Sequence, residues 1–257
     1  MSRTLAPRSV MSRFFPRKAN DWVRQAVEQV TYPPDLSAED VALCESVADI
    51  TMTSPERIVA LRDAVRYVVG NGIEGDVVEC GVWRGGSMVV VAKTLLSLGS
   101  IRDLYLCDTF EGMSPATEHD KAFDGRSADS MLDATARKEG NSVWCIAGEE
   151  DVRQNVGRTG YPGERQHFVR GKVEDTLPAA APEKIAILRL DTDWYESTKH
   201  ELEVLYPRLV DGGVLILDDY GYWQGARKAV DEYFAKQPKK PLLHRIDLTG
   251  RMTVKRA

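Results

Sequence analysis

At 257 residues the chain is long enough for one α/β domain with a full core and a shorter appendage. Its formal net charge of −5 argues against nucleic acid as the main partner, and no apolar run approaches the roughly 20 residues that cross a bilayer. Four cysteines (Cys44, Cys80, Cys107 and Cys145) show no CxxC spacing, which argues against zinc and points to reduced thiols in a cytoplasmic protein.

The first twenty residues are basic and serine-containing. They resemble a transit peptide in profile but lack the apolar stretch of a secretory signal, and they read as a flexible or lid-like arm. Apolar residues at helical spacing predict a helix over 21–31, which Tyr32-Pro-Pro-Asp-Leu36 breaks. A second helix is expected over 37–48, with Ser37 as N-cap and Asp40 at the reciprocal position. Ser54-Pro55-Glu56 then starts a third: serine cap, proline in the first turn, acid near the positive end of the dipole. Residues 1–70 are therefore expected to be a helical lid or oligomerisation segment, and the protein a homo-oligomer. Residues 71–257 are expected to be the second, main domain.

From residue 71 the pattern alternates. Strands are expected at 76–81, 103–108, 166–170, 184–191 and 213–219, and helices near 86–98, 149–157, 195–210 and 224–236. The helix after residue 195 is expected to stop at Gly212-Gly213. Leu242 to Val254 reads as a final hairpin. The alternation specifies an α/β fold, a doubly wound, mostly parallel seven-stranded sheet. Residues 111–141 are polar and poorly periodic, and a loop of that length is expected to be either a functional lid or disordered.

Two places in this pattern carry chemistry. Asp191-Thr192-Asp193 follows the apolar run Ile185–Leu190, and Asp218-Asp219 follows Val214–Leu217. A strand–helix–strand crossover makes these strands parallel, and as neighbours they lie about 4.8 Å apart. Four carboxylates then converge at the carboxyl edge of one sheet, where open α/β sheets bind ligands. They repel one another and require a cation, and a hard divalent ion such as Mg²⁺ suits oxygen ligands. On that argument Asp218→Asn relieves repulsion and costs activity rather than stability.

The second place is Val77-Val-Glu79-Cys-Gly81-Val-Trp83-Arg84-Gly85-Gly86-Ser87, a strand running through a glycine turn into a helix. Asp108, ending the next strand, suits a ribose diol. Gly81-x-x-x-Gly85-Gly86 is not the G-x-G-x-x-G of nicotinamide enzymes. Glu79 inside the strand needs a cationic partner, either a ligand ammonium or Arg84. The combination favours S-adenosylmethionine, which has an ammonium and no pyrophosphate. The four histidines show no metal spacing, and His119 in the long loop is only an auxiliary base candidate.

These segments, together with Asp108-Thr109-Phe-Glu111-Gly, Gly171-Lys-Val173-Glu-Asp175-Thr-Leu-Pro178, Leu188-Arg-Leu-Asp191-Thr-Asp193-Trp-Tyr195-Glu-Ser-Thr198 and Gly212-Gly213, resemble the macrocin O-methyltransferase (TylF) family. The resemblance runs from about residue 51 to 236, and the first 50 residues match nothing specific. It implies a Rossmann-like methyltransferase sheet and a metal-dependent O-methyltransferase acting on sugar hydroxyls of antibiotics or nucleotide-activated sugars. It also implies Asp191, Asp218 and Asp219 as Mg²⁺ ligands, Asp193 as the base, and Asp191 as catalytic through its ion. Glu79, Gly81, Arg84, Gly85, Gly86, Ser87, Asp108, Thr109, Gly171 and Val173 are the expected cofactor residues. The family often has Asp-Gly-Asp where this chain has Thr192, a stiffer β-branched residue. A catechol or phenolic O-methyltransferase is the rival enzyme, favoured if aromatic rings line the pocket. A binding module without turnover is the rival outside the enzymes.

Overall fold

Ser37 and Asp40 form the expected reciprocal cap, Ser37 N donating to Asp40 Oδ2 at 2.9 Å and Asp40 N to Ser37 Oγ at 3.2 Å, at the start of α1 (Ala38–Glu45). This computed structural model describes residues 32–135, 137 and 142–256, so the basic arm and the helix expected at 21–31 lie outside the described residues. The chain divides into two compact units, residues 1–42 and 43–257. In the larger unit α2 (Pro55–Gly70) is capped by Ser54, whose hydroxyl accepts from Arg57 N at 3.3 Å. Ile58, Leu61, Val65 and Val68 recur every three to four residues, and this buried stripe packs α2 onto the sheet and its neighbouring helix.

The sheet is built from β1 (Asp76–Cys80), β2 (Leu104–Asp108), β3 (Gln166–Arg170), β4 (Ile185–Leu190), β5 (Leu209–Leu217), β6 (His244–Arg245) and β7 (Arg251–Val254). The order is β3-β2-β1-β4-β5-β7-β6, with the first five strands parallel and β7 antiparallel to both its neighbours. The crossovers carry α3 (Gly86–Ser97), α4 (Ala128–Asp133), α5 (Glu149–Gly157), α6 (Val173–Thr176), α7 (Tyr195–Leu205) and α8 (Gln224–Ala235). β4 is buried at every position, as its unbroken apolar run requires of a central parallel strand. Val78, Leu188, Leu202, Leu215 and Phe234 belong to the core that this strand crosses.

Strand order reverses between β1 and β4, which opens the crevice of a doubly wound sheet at their carboxyl ends. Register then does the rest. Cys80 pairs with Leu190 and Leu190 with Leu217, so Gly81, Asp191 and Asp218 leave three adjacent strands at one level.

Two expectations are corrected. The crossover helix does not run to a glycine stop: α7 ends at Leu205 and a 3₁₀ turn, Tyr206–Arg208, takes over around Pro207, which cannot extend the helical ladder. Gly212 and Gly213 instead lie within β5, where the β4–β5 register shifts, and Gly212 has φ +80°. The long loop also holds more structure than its composition suggests. It contains α4, capped by Ser127, and is tied down by bridges from Lys121 to Ser127 and from Ala122 to Trp223. All four cysteines are free, and among the described residues no helix is long and apolar enough to cross a membrane.

Candidate active site

The glycine turn after β1 is shaped by close approach. Gly81 has φ +82°, and a Cβ there would lie 1.9 Å from the Asp191 carbonyl oxygen. A Cβ on Gly86 would lie 2.5 Å from the Ile50 carbonyl, so only glycine lets the segment before α2 seat against the start of α3. Asp108 fixes the same turn from β2. Its Oδ2 accepts from Val82 N at 2.7 Å and Trp83 N at 3.1 Å, and its Oδ1 from Phe110 N at 2.8 Å.

Beside this turn the carboxylates converge. Asp191, Asp218 and Asp219 each offer an oxygen within 4.8 Å of the others. Arginine already holds part of this charge. Arg189, buried in β4, donates through Nη1 to Glu79 Oε1 at 2.5 Å and to Asp191 Oδ2 at 2.7 Å, and through Nη2 to Asp218 Oδ1. Arg57 of α2 donates through Nη1 to Asp218 Oδ2 and through Nε to Asp247 Oδ2 at 2.8 Å. The acids therefore do not depend on a metal for all their countercharge. Asp219 forms no ion pair among the described residues. Burial and the neighbouring carboxylates push Asp219 well above the usual range. Asp191 is also pushed up, by burial and by Asp218 and Asp219, against the pull of Arg189. Three hard oxygen donors with excess negative charge at this spacing fit a small divalent cation.

Asp193 lies next to this cluster with φ +67°, and its amide donates to Asp219 Oδ2 at 3.3 Å. Burial raises its carboxyl to about 7, with Asp191 and Asp218 adding to the rise. The other non-glycine residues in left-handed backbone are Trp83, Phe110 and Cys145 among the described residues. Trp83, Cys145 and Asp193 all line the cleft, and Phe110 follows its lining residue Thr109. Such conformations cost on the order of 1–3 kcal/mol each and persist where surrounding contacts enforce them. Here Tyr195 N is held by Asp120 Oδ1 at 2.8 Å and Trp194 Nε1 by the Ser114 carbonyl at 2.9 Å.

One cleft contains most of the expected site residues: Gly81, Gly86, Ser87, Asp108, Thr109, Gly171, Val173, Asp191, Asp193, Asp218 and Asp219. Glu79, Arg84 and Gly85 are not among its lining residues. Arg84 turns away to Asp151, 2.7 Å from Nε, and to the Asp49 carbonyl. The cationic partner of Glu79 is Arg189, its register neighbour on β4. Burial still raises the Glu79 carboxyl to about 7, and its Oε2 has no hydrogen-bond partner among the described residues. His119 lies outside the cleft, edge-on to Tyr195 with ring centroids 4.6 Å apart. Sequence reasoning missed Arg189, Arg57 and the wall formed by Ile50–Thr53. Arg189 left a signal, a charge inside an otherwise apolar strand. Arg57 left none, because its partners lie 161 and 190 residues away in the chain.

A family model described as macrocin O-methyltransferase (TylF) matches residues 2–255, further than the span read from motifs and including the first 50 residues. The chain is 37% identical over 202 residues to the demethyldecarbamoylnovobiocin O-methyltransferase of Streptomyces niveus, covering 78% of this chain and 73% of that protein. It is also 37% identical over 203 residues to the 8-demethyl-8-(2,3-dimethoxy-α-L-rhamnosyl)-tetracenomycin-C 4'-O-methyltransferase of Streptomyces olivaceus, covering 78% and 73%. The solved structure of the O-methyltransferase NovP superposes with a TM-score of 0.70 at 35% identity, over 81% of this chain and 83% of that one.

Proposed function

Because the chain belongs to the macrocin O-methyltransferase (TylF) family and is an O-methyltransferase, we propose that it transfers a methyl group from S-adenosylmethionine to a sugar hydroxyl, with Mg²⁺ held by Asp191, Asp218 and Asp219. The acceptor is a sugar of a natural-product glycoside or a nucleotide-activated sugar. The observation that carries this reading is the convergence of the three carboxylates in the same cleft as the glycine turn.

When bound, the cofactor supplies the electrophilic methyl group and the ion supplies Lewis acidity toward the acceptor hydroxyl. The chain's own residues do the remainder. Gly81, Gly86 and Ser87 line the cofactor's side of the cleft, with Asp108 holding the turn in shape and Thr109, Gly171 and Val173 on the side of β2 and β3. Arg189 spaces Asp191 and Asp218 and ties both to Glu79. Asp193 is the base: it is half-buried beside the cluster and lines the cleft, and its carboxyl is raised to about 7, closer to the proton affinity a base needs near neutrality. Ile50–Thr53, before α2, and Gly112–Ser114, in the long loop, line the cleft and are the proposed covers.

The identity of the cleft's rings favours sugar over catechol. Trp83 is the only aromatic residue lining it among the described residues, whereas Trp194 and Trp223 are buried against each other, centroids 4.9 Å apart. A planar phenol would find little to stack on. The test is a mass-spectrometric transfer assay with S-adenosylmethionine against nucleoside diphosphate sugars, glycosides and catechols, each with EDTA and after Mg²⁺ is restored. Methylated sugar that disappears with EDTA and returns with Mg²⁺ is expected. Full transfer in chelated protein removes the metal from the reading, and transfer to catechols alone removes the sugar.

A further inference from the structure

We propose that Glu201, a buried carboxyl on α7, is a positioning residue for the reaction: through the hydroxyl of Thr192 it fixes the turn that presents Asp191 and Asp193. Glu201 has no exposed surface and lies two turns into the helix on its buried face, beside Leu202 and Leu205. Its Oε1 accepts the Thr192 Oγ1 hydrogen at 2.9 Å, and its Oε2 has no hydrogen-bond partner among the described residues. A buried carboxyl with one oxygen left unpaired is costly, and leucine would fill the same helix face without that cost. What the carboxyl gains is a grip on the residue between the two site aspartates.

That grip completes a set of restraints on the turn. Asp191 N donates to the Cys80 carbonyl at 2.8 Å, and Trp194 N to the Thr192 carbonyl at 2.8 Å. Asp193 between them is in left-handed backbone. Backbone hydrogen bonds hold both ends of the turn; in its middle the Thr192 hydroxyl is a side-chain anchor at 2.9 Å, shorter than the Asp193 amide to Asp219 Oδ2 at 3.3 Å and Ser197 Oγ to the Thr192 carbonyl at 3.4 Å. A threonine here has little χ1 freedom, so fixing its hydroxyl also fixes its backbone orientation. Burial pushes the Glu201 acid well above the usual range. Glutamine keeps a carbonyl oxygen where Oε1 accepts the Thr192 hydroxyl, so it can replace the acid.

The inference rests on the proposed chemistry for its kinetic consequences but not for its structural ones. Glu201→Gln, Glu201→Leu, Thr192→Val and the double variant Thr192→Val/Glu201→Leu are compared with the parent protein. Hydrogen exchange at the 191–195 amides reads the turn directly and needs neither ion nor acceptor. Glu201→Leu and Thr192→Val should speed exchange there by about tenfold while the β1 and β4 amides keep their protection. They should also weaken Mn²⁺ binding and lower kcat by about 10- to 100-fold with KM for S-adenosylmethionine unchanged. Glu201→Gln should restore all three readouts, and the double variant should be no worse than either single one. Unchanged exchange in both single variants, or fully additive losses in the double variant, overturns the proposal. Protein that loses the turn but shows no Mn²⁺ binding in the parent overturns the metal reading and leaves this one standing.

Discussion

Asp218 has one carboxylate oxygen on Arg189 and the other on Arg57, and all three side chains are largely buried. Repulsion among the acids alone would make Asp218→Asn a relief. The ion pairs reverse that expectation, because the asparagine leaves two buried guanidinium groups short of a partner. Removing one member of a buried pair typically costs 3–5 kcal/mol, more than the repulsion relieved between partly solvated carboxylates. Urea denaturation should show Asp218→Asn less stable by about 3 kcal/mol, and a variant as stable as its parent would mean the arginines repack. At Asp108 the argument is one of donors. The carboxylate receives backbone N–H groups on both oxygens, and an asparagine presents an NH₂ to one side whichever way it is turned. Asp108→Asn should therefore cost about 1–3 kcal/mol of stability and weaken S-adenosylmethionine binding together, by denaturation and calorimetry. Asp193→Asn, by contrast, should leave cation and cofactor affinity nearly intact and lower kcat by about 10²-fold. A fall of less than fivefold moves the base elsewhere.

Among the elements, α2 is held to the turn between β6 and β7 by a charged cluster. Asp247 accepts from Ser54 Oγ at 2.8 Å, Arg57 Nε at 2.8 Å and Gly250 N at 2.7 Å. Burial works to raise this carboxyl, but the Gly250 amide and Arg57 outweigh it, so Asp247 titrates below its ordinary value. A carboxyl lowered in the folded state stabilises fully above its unfolded pKa of about 3.9, and the stabilisation is lost as pH falls through the folded value. Asp247→Asn should lower stability near neutral pH and flatten its dependence on pH below about 4. An unchanged acid limb would place the acid sensitivity in other carboxylates. The elements themselves were readable to different degrees. β1, β2 and β4 announce themselves as short apolar runs, as strands covered on both faces do, and the long crossover helices by the helical period of their one buried face. The start of β5 does not, because Asp211-Gly212-Gly213 looks like a turn until β4 pairs across it. α4 is too short to show a period at all.

For the whole molecule, the relevant equilibrium is between the folded chain and the chain with its ligands. A ligand that binds only the folded state at 100 times its Kd stabilises by about 2.7 kcal/mol, or roughly 5–11 °C in Tm for a domain of this size. S-adenosylmethionine should give a shift of that order in differential scanning fluorimetry. Mg²⁺ should give a smaller one that vanishes in Asp219→Asn, the proposed ligand that forms no ion pair among the described residues. A Mg²⁺ shift that survives this substitution would move the ion to another site.

The sequence by itself determined the α/β class, the strands that end in Asp191 and Asp218, the glycine turn and part of the lining around it, because each is written in a local run of a few residues; it misplaced Arg84 and missed the Ile50–Thr53 wall. It also carried the family, in ordered motifs that the family model extends over residues 2–255. Only the tertiary structure decided what neutralises those acids. Arg189 reaches Glu79, Asp191 and Asp218 because β4 lies between β1 and β5, and Arg57 reaches Asp218 because α2 packs at the carboxyl edge of the sheet. Glu201 meets Thr192 because α7 folds back beneath the turn that precedes it. Charge compensation depends on distance in space, and the partners here are separated along the chain by up to 161 residues, which no local pattern encodes.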